Sequence, residues 1–243
     1  MSALETVLQV TQLNAWYGQA HILRDVAFEV RAGEVMVLLG RNGAGKSTTL
    51  KSIIGLQREE GERVTGSVQF HGKAIVRLAP YQIARLGLGY VPEERRIFTD
   101  LTVLENLEVG RQPARAGLEK WDWARLSTLF PNLGEMPERL GGRMSGGEQQ
   151  MLTIARTLMG NPTCLLLDEP SEGVAPVIVD QMADAILKLK AAGVAVLLSE
   201  QNLHFARAVS DRATIVEKGQ VRFSGTIAEL DANEDVRRNY LAV

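Results

Sequence analysis

Nine residues, Gly40 to Thr48, reading G-R-N-G-A-G-K-S-T, constrain this chain of 243 residues more than any other stretch. They follow Val35-Met36-Val37-Leu38-Leu39, an apolar run bounded by Gly33 and Gly40 that reads as a buried strand, and they lead into a segment through Ile54 that can be helical. Gly40, four residues, then Gly45-Lys46-Ser47 matches G-x-x-x-x-G-K-[ST]. In that spacing, glycines without side chains let backbone N–H groups close around phosphate oxygens at a helix N-terminus. Asn42, Gly43, Ala44, Gly45, Lys46, Ser47 and Thr48 are the candidate contacts to a nucleoside triphosphate, with Lys46 reaching the β- and γ-phosphates and the Ser47 hydroxyl holding Mg²⁺. A glycine-rich turn that binds nothing has no need of this strand and helix on either side.

The length suits one large α/β domain, or a core with a smaller insert. With 27 Lys and Arg against 29 Asp and Glu, the net charge of −2 gives no sign of nucleic acid as the main ligand. Cys164 is the one cysteine, so no internal disulfide is possible, and a reducing, cytoplasmic setting is expected. Met1 to Val10 lacks the pattern of a secretory signal, and no apolar run approaches the roughly 18 to 20 residues of a membrane-spanning helix. Work at a membrane therefore requires a membrane-embedded partner.

Alternation over Val7–Leu13 predicts a half-buried strand, and Val26–Val30 a second, so an antiparallel layer precedes the nucleotide core. After a polar, glycine-punctuated stretch from Gly55 to Gly66, a short strand is expected at Ser67–Phe70, a helix at Pro80–Leu86 and a strand at Leu88–Val91. Pro92 to Gly142 reads as a helical insert, with Thr102 and Glu105 at capping-box spacing and Trp121–Phe130 helical. The α/β pattern returns with a helix from Ser145 to about Met159, strands at Cys164–Leu167 and Val194–Ser199, and a helix between them near Val177–Lys190. A hairpin around Lys218-Gly219 and a helix capped by Thr226 and Glu229 close the chain.

Cys164-Leu165-Leu166-Leu167-Asp168-Glu169 is an apolar strand ending in two carboxylates. At the carboxyl edge of a sheet beside a phosphate loop, Asp168 is the better metal partner, and Glu169 is placed to polarise an attacking water as general base. Ser145-Gly146-Gly147-Glu148 combines a capping box with two glycines that leave backbone N–H groups open at the positive end of a helix dipole, a second anion site. The capping box alone implies only an ordinary capped helix.

These segments together, in this order and spacing, resemble the ATP-binding subunits of ABC transporters over almost the whole chain. Gly40–Thr48 matches the Walker A motif, Met144–Gln150 the family signature, Cys164–Pro170 Walker B, and Ser171–Pro176 the D-loop. The resemblance implies a P-loop NTPase (RecA-like) α/β core over about residues 1–92 and 156–243, with an inserted helical subdomain over about 93–155. It also implies that Tyr17 stacks on adenine and that Glu169 is the catalytic base. Two positions depart from the broad pattern. Glu93, in Val91-Pro92-Glu93-Glu94-Arg95-Arg96, stands where most members have a glutamine that senses Mg²⁺, and Gln201, in Ser199-Glu200-Gln201-Asn202, stands where most have a histidine. Gln201 can still donate a hydrogen bond to a γ-phosphate but carries no charge at any pH. Both replacements mark one subgroup, the second ATPase subunit of branched-chain amino acid importers (the LivF type).

The resemblance implies ATP and Mg²⁺ as ligands, and a head-to-tail dimer in which ATP lies between one subunit's phosphate loop and the Ser145–Glu148 segment of the other. The expected partner is a sister ATPase, with a homodimer possible in isolation. Two transmembrane permease subunits and, indirectly, a periplasmic substrate-binding protein are also expected, at the cytoplasmic face of the inner membrane. Relatives of this subgroup also serve urea and short amides. A soluble ABC ATPase of DNA repair, translation or iron–sulfur assembly is disfavoured, because the long coiled coil of repair types and the second cassette of translation types are not present and Glu93 and Gln201 match the importer subgroup. A regulatory module that binds nucleotide without turnover remains open. A phosphate-loop kinase or GTPase has no use for Ser145-Gly146-Gly147.

Overall fold

The computed structural model describes residues 5–56, 62–115 and 119–241, so part of the Gly55–Gly66 stretch and the first residues of the Met1–Val10 reading lie outside it. The chain begins with strands β1 (Thr6–Tyr17) and β2 (Ala20–Arg31), then β3 (Val35–Leu39) and helix α1 (Lys46–Ile54). Next come β4 (Glu62–Phe70), β5 (Lys73–Ala74), α2 (Pro80–Leu86) and β6 (Leu88–Val91). Helices α3 (Val103–Gly110), α4 (Trp123–Leu129), α5 (Pro131–Gly134) and α6 (Gly146–Leu158) follow before β7 (Cys164–Asp168). The rest is α7 (Pro176–Ala191), β8 (Ala195–Glu200), α8 (Leu203–Val209), β9 (Arg212–Glu217), β10 (Gln220–Thr226), α9 (Ile227–Ala232) and α10 (Glu234–Tyr240).

Two sheets result, an antiparallel one in the order β2-β1-β4-β5 and a larger one in the order β10-β9-β3-β8-β7-β6. Within the larger sheet β9, β3, β8, β7 and β6 run parallel, and β10 is an antiparallel edge. Strands β3, β7 and β8 are buried at every residue, because both faces are covered, and that is why they read as unbroken apolar runs. Alternate residues then divide between two cores. Val35, Val37, Leu39, Leu165 and Leu167 join helices α3 to α8, while Met36, Leu38, Cys164 and Leu166 pack with α1, α2 and the antiparallel sheet. Burial pushes the Cys164 thiol up to about 12, so it is an inert core residue.

The first two strands run well past the expected ends, and the reason is local. Gln12 and Asp25 adopt left-handed backbone angles and the register slips between Val10 and Leu13, which breaks the period of two that defines a strand in sequence. Beyond the slip Trp16 stacks on His21 at 4.2 Å and carries the Arg63 guanidinium 3.9 Å above its ring, so the ribbon continues to Tyr17. Likewise β4 starts at Glu62 rather than Ser67. The helix expected over Trp121–Phe130 begins at Trp123, capped by Asp122, and ends at Leu129, two residues before Pro131 opens the next helix. The Thr102–Glu105 and Thr226–Glu229 capping boxes form as expected. Among the described residues no helix is long and apolar enough to cross a membrane.

Candidate functional site

Register places the carboxyl ends of three neighbouring strands together, since Leu39 stands opposite Glu200 and Asp168 opposite Ser199. At that edge the phosphate loop turns from β3 into α1. Gly45 is the N-cap at φ 107°, with no side chain bonded to the first amides, so the helix start is left for another acceptor. The loop is pinned from behind. Gly219 N donates to Ala44 O at 2.8 Å, Arg24 N donates to Gly219 O at 2.8 Å, and the Val216 carbonyl occupies the place a Cβ on Gly40 would take. On the outer side, Gly43 (φ 77°) faces open space.

Lys46 lies inside this loop. Its Nζ donates to Gly40 O at 2.8 Å and Arg41 O at 3.2 Å, and pairs with Glu169 Oε1 at 3.1 Å; the two side chains are 2% and 7% exposed. Glu169 reaches it from a left-handed backbone conformation (φ 45°), held by its N–H on both the carbonyl and the Oγ of Ser199 at 3.1 Å. Such a conformation costs a side-chain-bearing residue about 1–2 kcal/mol, and here it turns the carboxylate toward the loop. Glu169 Oε2 is buried with no hydrogen-bond partner.

Asp168 accepts from Ser199 Oγ at 2.7 Å and from Tyr90 Oη at 3.1 Å. Burial first, then the Asp168 charge and bond, raise the Tyr90 phenol so that it stays a proton donor. Both partners of Asp168 are neutral, so its charge is oriented but not balanced. Around it stand Glu93, raised by burial and by Glu169 and Asp168, and Glu200, raised by burial while accepting from the N–H groups of Ser171, Gln201 and Asn202 at 3.1 Å each. Glu172 is pushed up to about 7 by the adjoining Glu169 carboxyl, then by burial and the charges of Glu169, Glu93 and Glu200. Gln201 Nε2 donates to Glu172 Oε2 at 3.3 Å. Of these carboxylates only Glu169 pairs with a cation among the described residues.

No three His, Cys, Asp or Glu side chains form a metal cage among the described residues. Mg²⁺ is commonly bound through one or two carboxylates plus phosphate oxygens and water. The unbalanced Asp168 carboxylate, with the Ser47 hydroxyl, matches that requirement, and the uncapped start of α1 with a buried lysine matches a polyphosphate.

The Ser145 segment begins α6. Ser145 Oγ accepts from Glu148 N at 3.3 Å, and Glu148 Oε2 accepts from Ser145 N at 2.7 Å. The sequence left both glycines open, whereas the structure covers them from within the chain: Gly147 packs against Ile178 and Gly146 against the Arg95 guanidinium. Ser145, Gly146, Gly147 and Glu148 make no hydrogen bond or ion pair with Lys46, Asp168 or Glu169. Tyr17 lies exposed at the end of β1. Sequence reasoning named no role for Ser199, Tyr90, Glu172 or Arg95. Ser199 was the most findable, as a hydroxyl ending the apolar run from Val194, one strand over from Asp168.

A parallel sheet whose central strand feeds a glycine-rich lysine loop, with a carboxylate pair on the next strand but one, defines a phosphate-loop nucleoside triphosphatase. The chain belongs to the ABC transporter family, whose profile matches residues 23–172. It is 41% identical to the high-affinity branched-chain amino acid transport ATP-binding protein BraG of Pseudomonas aeruginosa, over 97% of this chain and 99% of that one. It is 36% identical to the probable branched-chain amino acid transport ATP-binding protein LivF of Archaeoglobus fulgidus, over 94% and 95%. The lipopolysaccharide export system ATP-binding protein LptB of Escherichia coli K12 is 34% identical over 93% and 92%. Among solved structures, a nucleotide-free ATP-binding cassette from an ABC transporter superposes with a TM-score of 0.79 at 27% identity, covering 95% of this chain and 97% of that one. The fold is therefore that of an ABC cassette, and the chain is an ATP-binding ATPase of this family.

Proposed function

We infer that this ATPase powers an importer for branched-chain or other hydrophobic amino acids. The observation that carries the chemistry is the buried Lys46–Glu169 pair above the uncapped start of α1, next to an Asp168 held by neutral donors. The 41% identity to BraG along nearly the whole chain supports the substrate class, as does the pairing of Glu93 with Gln201.

Lys46 exchanges its loop carbonyls and Glu169 for phosphate oxygens, which frees Glu169 to take the proton of an attacking water. Asp168 and Ser47 would hold Mg²⁺, with Glu93 beside them, and the bound ion would offset phosphate charge. Asn42, Gly43, Ala44, Gly45 and Thr48 complete the cradle, Tyr17 stacks on adenine, and Gln201 leaves Glu172 to meet the γ-phosphate. The opposing subunit supplies Ser145, Gly146, Gly147 and Glu148. We take that subunit to be a sister ATPase, the pair sitting peripherally on two permease subunits at the cytoplasmic face of the inner membrane, with a periplasmic binding protein presenting the substrate. The helical subdomain of about residues 93–155 is the part that carries the second anion face toward the partner.

The test is ATP hydrolysis by the chain assembled with its sister, its permeases and the binding protein in proteoliposomes. Leucine, isoleucine or valine should stimulate hydrolysis and be taken up. Stimulation by urea or short amides alone, or activity coupled only to lipopolysaccharide-handling permeases, would sink the amino-acid reading.

A further inference from the structure

The segment after β6 carries two arginines in succession with left-handed backbone angles, Arg95 at φ 63° and Arg96 at φ 46°. Their carbonyls are held in place, Arg95 O by Thr153 Oγ1 at 2.6 Å and Arg96 O by Arg156 Nη2 at 2.6 Å, both from α6. This backbone sends the two side chains to different fates. Arg96 pairs with Glu94 at 2.8 Å. Arg95 lies over Gly146: a Cβ built there would fall 3.0 Å from the guanidinium carbon and closer still to Nη1, and a Cβ on Gly173 would lie 3.9 Å from Nη2. The guanidinium therefore fills the space that a side chain at position 146 would need.

The half-buried Arg95 guanidinium makes no hydrogen bond or ion pair among the described residues. Its neighbours do otherwise. Arg139 lies 3.9 Å from Glu148, and Arg156 is bonded to Arg96 O and Asn106. In the dimer inferred above, this face meets the ATP bound by the opposing subunit, and the Ser145 segment brings only neutral donors there together with the Glu148 carboxylate. A guanidinium presents several N–H donors in a fixed fork that matches phosphate oxygens, and it keeps its charge at every relevant pH.

Resting on that dimer reading, we propose that Arg95 is a catalytic residue in trans: its guanidinium contacts the terminal phosphate of the ATP held by the opposing subunit. Arginines supplied across an interface accelerate phosphoryl transfer in other phosphate-loop enzymes by offsetting charge on the transferring group. The contribution expected here is about 100-fold in kcat, the scale of one preorganised donor to a developing anion.

The experiment uses the full transporter with Arg95→Ala or Arg95→Lys in this chain. ATP turnover is measured, and vanadate trapping of a photoreactive ATP analogue reads which subunit has turned over. Arg95→Ala should lose trapped label about 100-fold on the sister subunit and keep it on its own phosphate loop, with KM for ATP within about twofold of the unmodified assembly. Arg95→Lys, which keeps the charge, should recover about a tenth or more of the lost rate. Unchanged label on the sister overturns the proposal, as does label lost from this chain's own loop or equally from both, the signature of a role in holding the fold. An unmodified assembly that hydrolyses no ATP overturns the importer reading first, and the role of Arg95 with it.

Discussion

The start of α1 has no side-chain cap and keeps its cation in a buried pair, Lys46 with Glu169, whereas the start of α6 is closed by reciprocal Ser145–Glu148 bonds and lies against a guanidinium with no ion-pair or hydrogen-bond partner among the described residues. At α1 an incoming phosphate replaces one anion with another, so the loop is electrostatically settled with or without nucleotide. At α6 the Ser145 and Glu148 N–H groups are already satisfied, so the segment offers a free phosphate little on its own. An order of events follows. In the dimer proposed above, nucleotide would settle first on its own loop, and the second face would engage only when another subunit delivers that nucleotide to it.

The largest break in this contrast is Lys46→Ala. It removes the phosphate contact and leaves Glu169 buried without a counter-ion, so hydrolysis should fall about 1000-fold or more, and unfolding by denaturant without nucleotide should show a loss of about 3–5 kcal/mol. Glu169→Gln should lower kcat about 100- to 1000-fold while ATP binding, read by equilibrium titration, persists. It should also unfold later than Lys46→Ala, because Lys46 keeps the carbonyls of Gly40 and Arg41. Retained hydrolysis in Glu169→Gln would remove the assignment of the base. At the other helix, Ser145→Ala should cost about 1 kcal/mol through the lost cap, seen as a lower urea midpoint.

The smallest effect is a pH slope. Glu172 is raised from 4.5 to about 7, so the folded chain holds this proton more tightly than the unfolded one. Its contribution is complete below pH 4.5 and is lost as pH rises through about 7, screened in part because the residue is exposed. Thermal midpoints of Glu172→Gln followed from pH 5 to 8 should decline less than those of the unmodified chain. An identical slope in both would remove Glu172 as its source.

Much of the molecule was legible in its sequence because the signals are local. The apolar runs of β3, β7 and β8, the Thr102–Glu105 and Ser145–Glu148 spacings and the lysine loop each describe structure within a few residues. What stayed hidden depends on partners far along the chain. Tyr90 finds Asp168 across 78 positions and Ser199 finds it across 31, and neither residue type announces a carboxylate partner. Arg95 was visible as a letter, but its path over Gly146 follows from two left-handed residues that no propensity favours.

The pinning of the phosphate loop from behind bears on how the protein is born. Strand β3 lies between β8 and β9, and Ala44 is held by Gly219, so an early segment takes its form from the last quarter of the chain. On the ribosome the lysine loop emerges long before the strands that shape it, and that interval belongs to a chain unable to grip nucleotide. A product cut short before Gly219 lacks the backing of its own loop, so an incomplete subunit should neither consume ATP nor compete for it.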